Sequence, residues 1–496
     1  MYTVLVNGLI CDGSGSEPEA KELLLKNGRI ADFAAPGTFA GVDADKIDAA
    51  GKIIAPGFID VHAHGDTRKL KFPERKSVLL QGVTTEVDGN CGTSASCVPG
   101  EYGNLTWQNL DEYAKIINEL QIPVNTVALA GHNSIRRQVM GNSPEKATPE
   151  EIKAMQQLLE KALSSGAAGW SSGLTYFPGK FSDETELKSL AAVTAGSEKI
   201  YSTHMRSEGD DLFNAVEEAI NVARAGSCRL QISHLKTIFP RNYSKIDRLL
   251  EIIDQHRLTM DIHADRYPYI YSSTSVSQIL PPPYDKVVNI SAKLRESESF
   301  QAEVVEALRH SPRNLATTIL ISRNMTLAEI AAENSCSVEQ TGMEILKQDA
   351  SQSAAYLCMS EENLKRFLSL PYLCAGSDGI SCQLDDPEAE GHPRAIGTFP
   401  RFYHLVSQMS SVGEAVRKMT GLPATIFRIP ERGFIRKNYV ADLVVFDAEK
   451  LNSAADFGRK NLHPDGIDKV LVSGKIAWDS SEPEKIGHHG RFIAVN

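Results

Sequence analysis

The chain has 496 residues, 42% hydrophobic and 23% charged, with a formal charge of -11 and a pI near 5.7. That composition is ordinary for a globular protein; it excludes disordered and fibrous classes and lacks the clustered basic surface of a nucleic-acid binder. No window approaches the roughly 18 uncharged apolar residues of a membrane span, and the cysteines at 11, 91, 97, 228, 336, 358, 374 and 382 have no disulfide-framework spacing.

The N-terminus, MYTVLVNGLICDGSG, shows no basic segment followed by a long apolar core, so a cytoplasmic location is expected. Residues 1–55 alternate short β-rich runs (TVLVNGLICD, ELLLKNGRIADFA, KIIAPGFID) with Gly, Asn and Asp turns, which predicts a small all-β unit. Residues 426–496 do the same in RGFIRKNYVADLVVFD and DKVLVSGKIAWD. Both ends therefore look like one kind of structure. Across 56–425, apolar strand candidates alternate with helical patterns, which argues for βα units and a parallel sheet.

The strand candidates are GFIDVHAH, VLLQGVTTEVDG, PVNTVALAG, AAGWSSGL, IYSTHM, RLQISH, TMDIHADRYPY, TTILIS and YLCAGSD. That is one too many for an eight-stranded barrel. Helices are clearest at EEIKAMQQLLEKALSSG and DLFNAVEEAINVARAG, where apolar residues recur at helical spacing. Residues 280–345, with Pro281 to Pro283 and the helical run SFQAEVVEALRH, are expected to form an inserted subdomain, and TTILIS is the candidate to join it. No internal repeat of solenoid period is present.

In a parallel α/β barrel, chemistry sits on the loops after the strands. Metal-ligand residue types stand at several of those stations. GFIDVHAHGD ends on His62 and His64, whose spacing puts both imidazoles on one face of a strand. Cys91 follows the next strand in VDGNCG; His204, His234 and Asp378 close later ones. Each alone is more often a structural residue, but all six fall on what would be one rim. Imidazole, thiolate and carboxylate together suit zinc, with a position left open for water. The tighter ion is assigned to Cys91, His204 and His234, with His62, His64 and Asp378 near a second, weaker position.

GFIDVHAHGD, GNCG, THMRSE, ISHLK, GSDG and HPRAIGTFPR closely resemble the N-acyl-D-amino acid deacylases (D-aminoacylases) of the amidohydrolase superfamily, in order and spacing over nearly the whole chain. The resemblance implies a TIM-like (β/α)8 barrel flanked by a small β-sandwich made from both chain ends. It implies zinc at Cys91, His204 and His234, a second ion of doubtful necessity at His62 and His64, and Asp378 as the catalytic carboxylate. It also implies that Lys236, Tyr267 and Arg394 bind the substrate's α-carboxylate, for which a guanidinium fork and a lysine charge are suited. Hydantoinase and dihydroorotase relatives usually bridge two metals with a carboxylated lysine from the fourth strand; AAGWSSGLTYFPG has no lysine before Lys180.

The expected chemistry is hydrolysis of a linear amide by activated water, with Asp378 moving the proton and no covalent intermediate. The substrate is a small N-acyl-D-amino acid, with D chirality implied only by resemblance. The alternatives are a cyclic-amide or nucleobase hydrolase on the same scaffold, and a metal-free binding relative. No GxSxG elbow supports a serine hydrolase. The acidic residues at 385, 386, 388 and 390 are expected to face solvent, the alternative being that they repel a side-chain carboxylate and favour a neutral or basic one; His132, Arg136, Tyr176 and Arg206 are candidates to line the pocket.

Overall fold

The computed structural model describes residues 2–380, 391–457 and 462–495. The two chain ends meet in a β-sandwich. One sheet holds four strands in the order 29–34, 22–26, 2–6, 45–48; the other holds six, in the order 475–479, 467–472, 443–446, 53–56, 9–10, 19–20. Strand 443–446 links the ends, pairing antiparallel with both 53–56 and 467–472. Alternation along these strands turns Leu5, Leu23, Leu25, Ile54, Leu443, Val445 and Leu471 into one buried core. Two hairpins close on two-residue turns whose residues all have positive φ, Asn27-Gly28 (52 and 81) and Ser473-Gly474 (52 and 73), the turn type that matches strand twist.

Eight strands form the barrel: β1 Phe58–Asp60, β2 Val83–Asp88, β3 Asn125–Gly131, β4 Gly169–Gly173, β5 Ile200–His204, β6 Arg229–Ile232, β7 Ile262–Arg266 and β8 Leu373–Ala375. They pair in chain order and all in parallel. Closure between β8 and β1 falls just past the strand ends. There Ala63 bridges Gly379, the Asp378 amide donates to His62 O at 2.7 Å, and the His64 amide to Gly379 O at 3.1 Å. The step that shuts the barrel thus lays His62 and His64 beside Asp378.

The surrounding helices follow their sequence signals. Pro149–Ser164 opens with Pro149 in its first turn and a reciprocal cap between Thr148 and Glu151, worth about 1 kcal/mol to a helix end. Leu212–Ala225 buries Leu212, Ala215, Val216, Ala219, Ile220, Val222 and Ala223, an apolar stripe at helical spacing.

Between β7 and β8 lies the inserted subdomain, which runs wider than 280–345. Its antiparallel sheet takes strands 271–275, 353–357, 319–320 and 325–326 in that order, over a core that includes Ile279, Leu294, Val304, Leu308, Leu327 and Leu346. The surplus strand of the sequence resolves here: TTILIS contributes Ile319–Leu320, paired with residues 354 and 355. Among the described residues, no helix is long and apolar enough to cross a membrane. The acidic positions 385, 386, 388 and 390 lie outside the described residues.

Candidate metal and substrate site

Cys91 is the hub. Its Sγ is 3.3 Å from His62 Nε2, 3.6 Å from His234 Nε2 and 3.7 Å from His204 Nδ1. Two overlapping groups of potential ligand atoms result: Cys91, His204 and His234, and Cys91, His62, His64 and Asp378. The first has the dimensions of a zinc site. Ligands at about 2.3 Å (sulfur) and 2.0–2.1 Å (nitrogen) in tetrahedral array stand about 3.6 Å apart. Burial pushes the Cys91 thiol up, but the charge of His62 and hydrogen bonds from His204, His234 and His62 outweigh it and hold it well below 9.0. The thiolate is the form that binds metal.

The loop that carries Cys91 is built around close approach. Cys91 has φ 50, between Gly89 and Gly92 at φ 82 and 74. A Cβ on Gly89 would lie 2.1 Å from Leu129 O, and one on Gly92 would lie 2.1 Å from Asn133 Oδ1. β4 supports this loop instead of supplying a ligand: Ser171 Oγ accepts from the Gly92 amide at 3.0 Å and donates to Gly89 O. His234 and Asp378 also sit in the left-handed region, with φ 37 and 48, which non-glycine residues seldom occupy.

Asp378 faces both groups. Its Oδ1 is 3.0 Å from His64 Nε2 and 3.5 Å from His62 Nε2, and its Oδ2 is 2.7 Å from Arg394 Nη1. Burial raises its carboxyl, yet the charges of Arg394, His234 and His62 and the hydrogen bond from His64 hold it well below the usual range. Arg394 Nη1 is near Asp378 without being aligned to donate to it, so that N–H is unspent. The Arg394 guanidinium lies 4.7 Å over the ring of Tyr267, whose hydroxyl is buried without a partner. Lys236 is buried, with its Nζ donating to Glu208 Oε1 (2.5 Å) and His234 O (3.2 Å).

A cavity of about 730 Å³ opens above this cluster; its wall includes His204, Glu208, His234, Lys236, Tyr267 and Asp378. The sequence profile of the amidohydrolase family matches residues 45–267 and 306–477. The chain belongs to the amidohydrolase family.

Its curated relatives from Alcaligenes xylosoxydans xylosoxydans include an N-acyl-D-glutamate deacylase (30% identical, 97% of this chain and 94% of that one) and a D-aminoacylase (30%, 99% and 97%). Among solved structures it superposes on the N-acyl-D-glutamate deacylase of Bordetella bronchiseptica, bound to zinc and a phosphonate mimic of the tetrahedral intermediate. That match has a TM-score of 0.84 and 30% identity, covering 99% of each chain. An L-hydantoinase from Arthrobacter aurescens shares the fold at 16% identity and TM-score 0.58, over 100% of both chains.

Two carboxylates in this amidohydrolase site had no role assigned from the sequence. Asp265, at the end of β7, accepts from His62 Nδ1 at 3.0 Å, from the His234 amide at 2.8 Å and from Gln231 Nε2 at 2.9 Å. Glu208 Oε1 accepts from His234 Nδ1 at 3.0 Å. Each fixes which ring nitrogen its histidine turns to the sulfur, the usual service of a carboxylate behind a ligand imidazole. Tyr176 and Arg206 do line the cavity. His132 and Arg136 do not; both are fully buried on Glu186, with His132 Nε2 2.7 Å and Arg136 Nε 3.1 Å from its Oε1.

Proposed function

We propose that this amidohydrolase is a zinc-dependent deacylase that converts an N-acyl-D-amino acid to a free D-amino acid and a carboxylate. The observation that carries this reading is the convergence of Cys91, His204 and His234 on one buried sulfur, with Asp378 alongside. Full-length likeness to D-amino acid deacylases supports the substrate class and its hand.

Cys91, His204 and His234 would hold the tight ion; His62, His64 and Asp378, sharing Cys91, border a second, weaker position. An ion held at the first site would supply Lewis acidity toward the amide carbonyl and a bound water with its pKa lowered to about 7. Asp378, kept ionised beside Arg394, accepts the proton of the attacking water and returns it to the amine nitrogen, which must leave neutral. Asp265 and Glu208 keep His62 and His234 oriented throughout.

The substrate's α-carboxylate is gripped by the unspent donors of Tyr267 and Arg394. Lys236, held by Glu208 Oε1 and His234 O, adds positive field. A cytoplasmic place of action is part of this proposal, supported by seven free cysteines among the described residues.

The test is free-amine release by the zinc-loaded protein from N-acetyl-D-leucine and N-acetyl-L-leucine. Release from the D form is expected. Hydrolysis of cyclic amides with none of either linear amide would overturn the proposal.

A further inference from the structure

The cavity extends from the ligand cluster beneath the inserted subdomain, and five basic side chains line it: Lys180, Arg206, Lys236, Arg295 and Arg313. Four are engaged within the protein. Lys180 Nζ is 2.6 Å from Asp285 Oδ2, Arg206 Nη2 is 2.9 Å from Glu218 Oε1, and Lys236 Nζ is 2.5 Å from Glu208 Oε1. Arg295 Nη1 donates to Lys347 O at 2.8 Å.

Arg313 differs. Its Nε and Nη1 are buried with no hydrogen-bond partner, and among the described residues no carboxylate pairs with it. What holds the guanidinium is stacking: its carbon lies 4.2 Å from the ring centroid of Tyr356 and 5.3 Å from that of Phe239. Phe239 is itself held at φ 70, where a bulky residue is rarely found, with its amide donating to Cys358 O at 2.8 Å. Strained backbone of this kind clusters at ligand-binding positions. Of the acids on the same wall, Asp210 is paired with Arg241 at 2.7 Å and Asp349 accepts from Ser351 at 2.6 Å, while Asp285 turns Oδ2 to Lys180 and keeps a buried, unpartnered Oδ1.

A half-buried cation with unpaired N–H groups carries a desolvation cost that an arriving anion offsets. We infer that Arg313 anchors a second carboxylate of the substrate, carried either on the amino-acid side chain or at the far end of the acyl group. This rests on the deacylase proposal and narrows its substrate to a dicarboxylate. The flat guanidinium, braced by two rings, is preorganised for such a partner.

The experiment compares kcat/KM of the zinc-loaded protein for N-acetyl-D-leucine, N-acetyl-D-glutamate and N-succinyl-D-leucine. At least one dicarboxylate should exceed N-acetyl-D-leucine by about tenfold or more, the size of one charge-assisted contact. Whichever it is locates the second carboxylate. Arg313→Met should lower that ratio about 10- to 100-fold, chiefly through KM, and Arg313→Lys should recover part of it. The inference is overturned if both dicarboxylates fall at or below N-acetyl-D-leucine in the wild type, or if Arg313→Met leaves the ratio unmoved. Should the Met variant not fold, the wild-type ratio and the Lys variant still decide. Hydrolysis of N-acetyl-D-leucine alone removes this inference and leaves the deacylase proposal standing; no hydrolysis of any of the three removes both.

Discussion

Arg394 Nη1 lies 2.7 Å from Asp378 Oδ2, on the opposite side of that carboxylate from His64, which is 3.0 Å from Oδ1. In the proposed mechanism the guanidinium therefore serves the proton-transfer group and the substrate together. Arg394→Met removes a cation that favours the charged carboxylate, so the Asp378 pKa rises and its basic form is reached only at higher pH. The acid limb of the kcat/KM profile should move upward, and KM for N-acyl-D-amino acids should rise about 10- to 100-fold from the lost charge-assisted contact. A pH-rate series checks both, and an acid limb that stays in place contradicts the coupling.

Asp378 belongs to the second ligand group and not to the first. Asp378→Asn should therefore reduce kcat by about 10²–10⁴-fold, the usual share of general acid-base catalysis, while tightly bound zinc stays at one ion per chain. Metal analysis beside turnover distinguishes this from collapse of the site, in which zinc and activity would fall together.

Cys91 is shared by both groups, so two predictions concern it. Cys91→Ala should empty the tight position and abolish turnover. In the intact protein, excess zinc should inhibit, because a cation at His62, His64 and Asp378 would tie up the carboxylate proposed to move the proton. Mild chelation should restore activity, and His64→Ala should blunt the inhibition. Titration of activity against added zinc provides the measurement; a monotonic rise would contradict the shared-ligand geometry.

Away from the site, Lys418 is buried, with its Nζ donating to Leu368 O at 2.6 Å and Leu370 O at 2.7 Å. Burial brings it down from 10.5 to about 8. The unfolded chain then holds more protons than the folded one between those values, so this residue makes stability rise as pH increases from about 8 to 10.5. Below that window both states are protonated and the contribution is flat. The Tm difference between wild type and Lys418→Met should shift toward the wild type across the window; no shift would mean the burial is compensated.

Much of the barrel was legible because its strands are continuous apolar runs that end in polar residues, and the rim rule then gathered His62, His64, Cys91, His204, His234 and Asp378. The surplus strand was not separable in the same way. TTILIS has the composition of a buried strand whether it joins a barrel or a two-residue ladder, and a short apolar run has no period to decide it. Glu208 and Asp265 escaped for another reason. Glu208 sits in a loop after β5 and Asp265 inside β7, and their importance lies in which imidazole nitrogen they reach, a relation between distant segments with no spacing of its own. His132 and Arg136 failed in the reverse direction: a His and an Arg after a barrel strand resemble site residues until Glu186, from a neighbouring helix, is found to absorb them both.

Cys91, His234 and Asp378 all stand on left-handed backbone, at φ 50, 37 and 48. For a residue with a Cβ that conformation costs about 1–2 kcal/mol, so the rim bears a permanent load where the chemistry happens. Glycine at any of the three would relax it and destroy the enzyme. In the metal-free state, Cys91→Gly should consequently melt later than Cys91→Ala, although both are inactive. A selection for heat endurance alone would wear this enzyme's working parts away first.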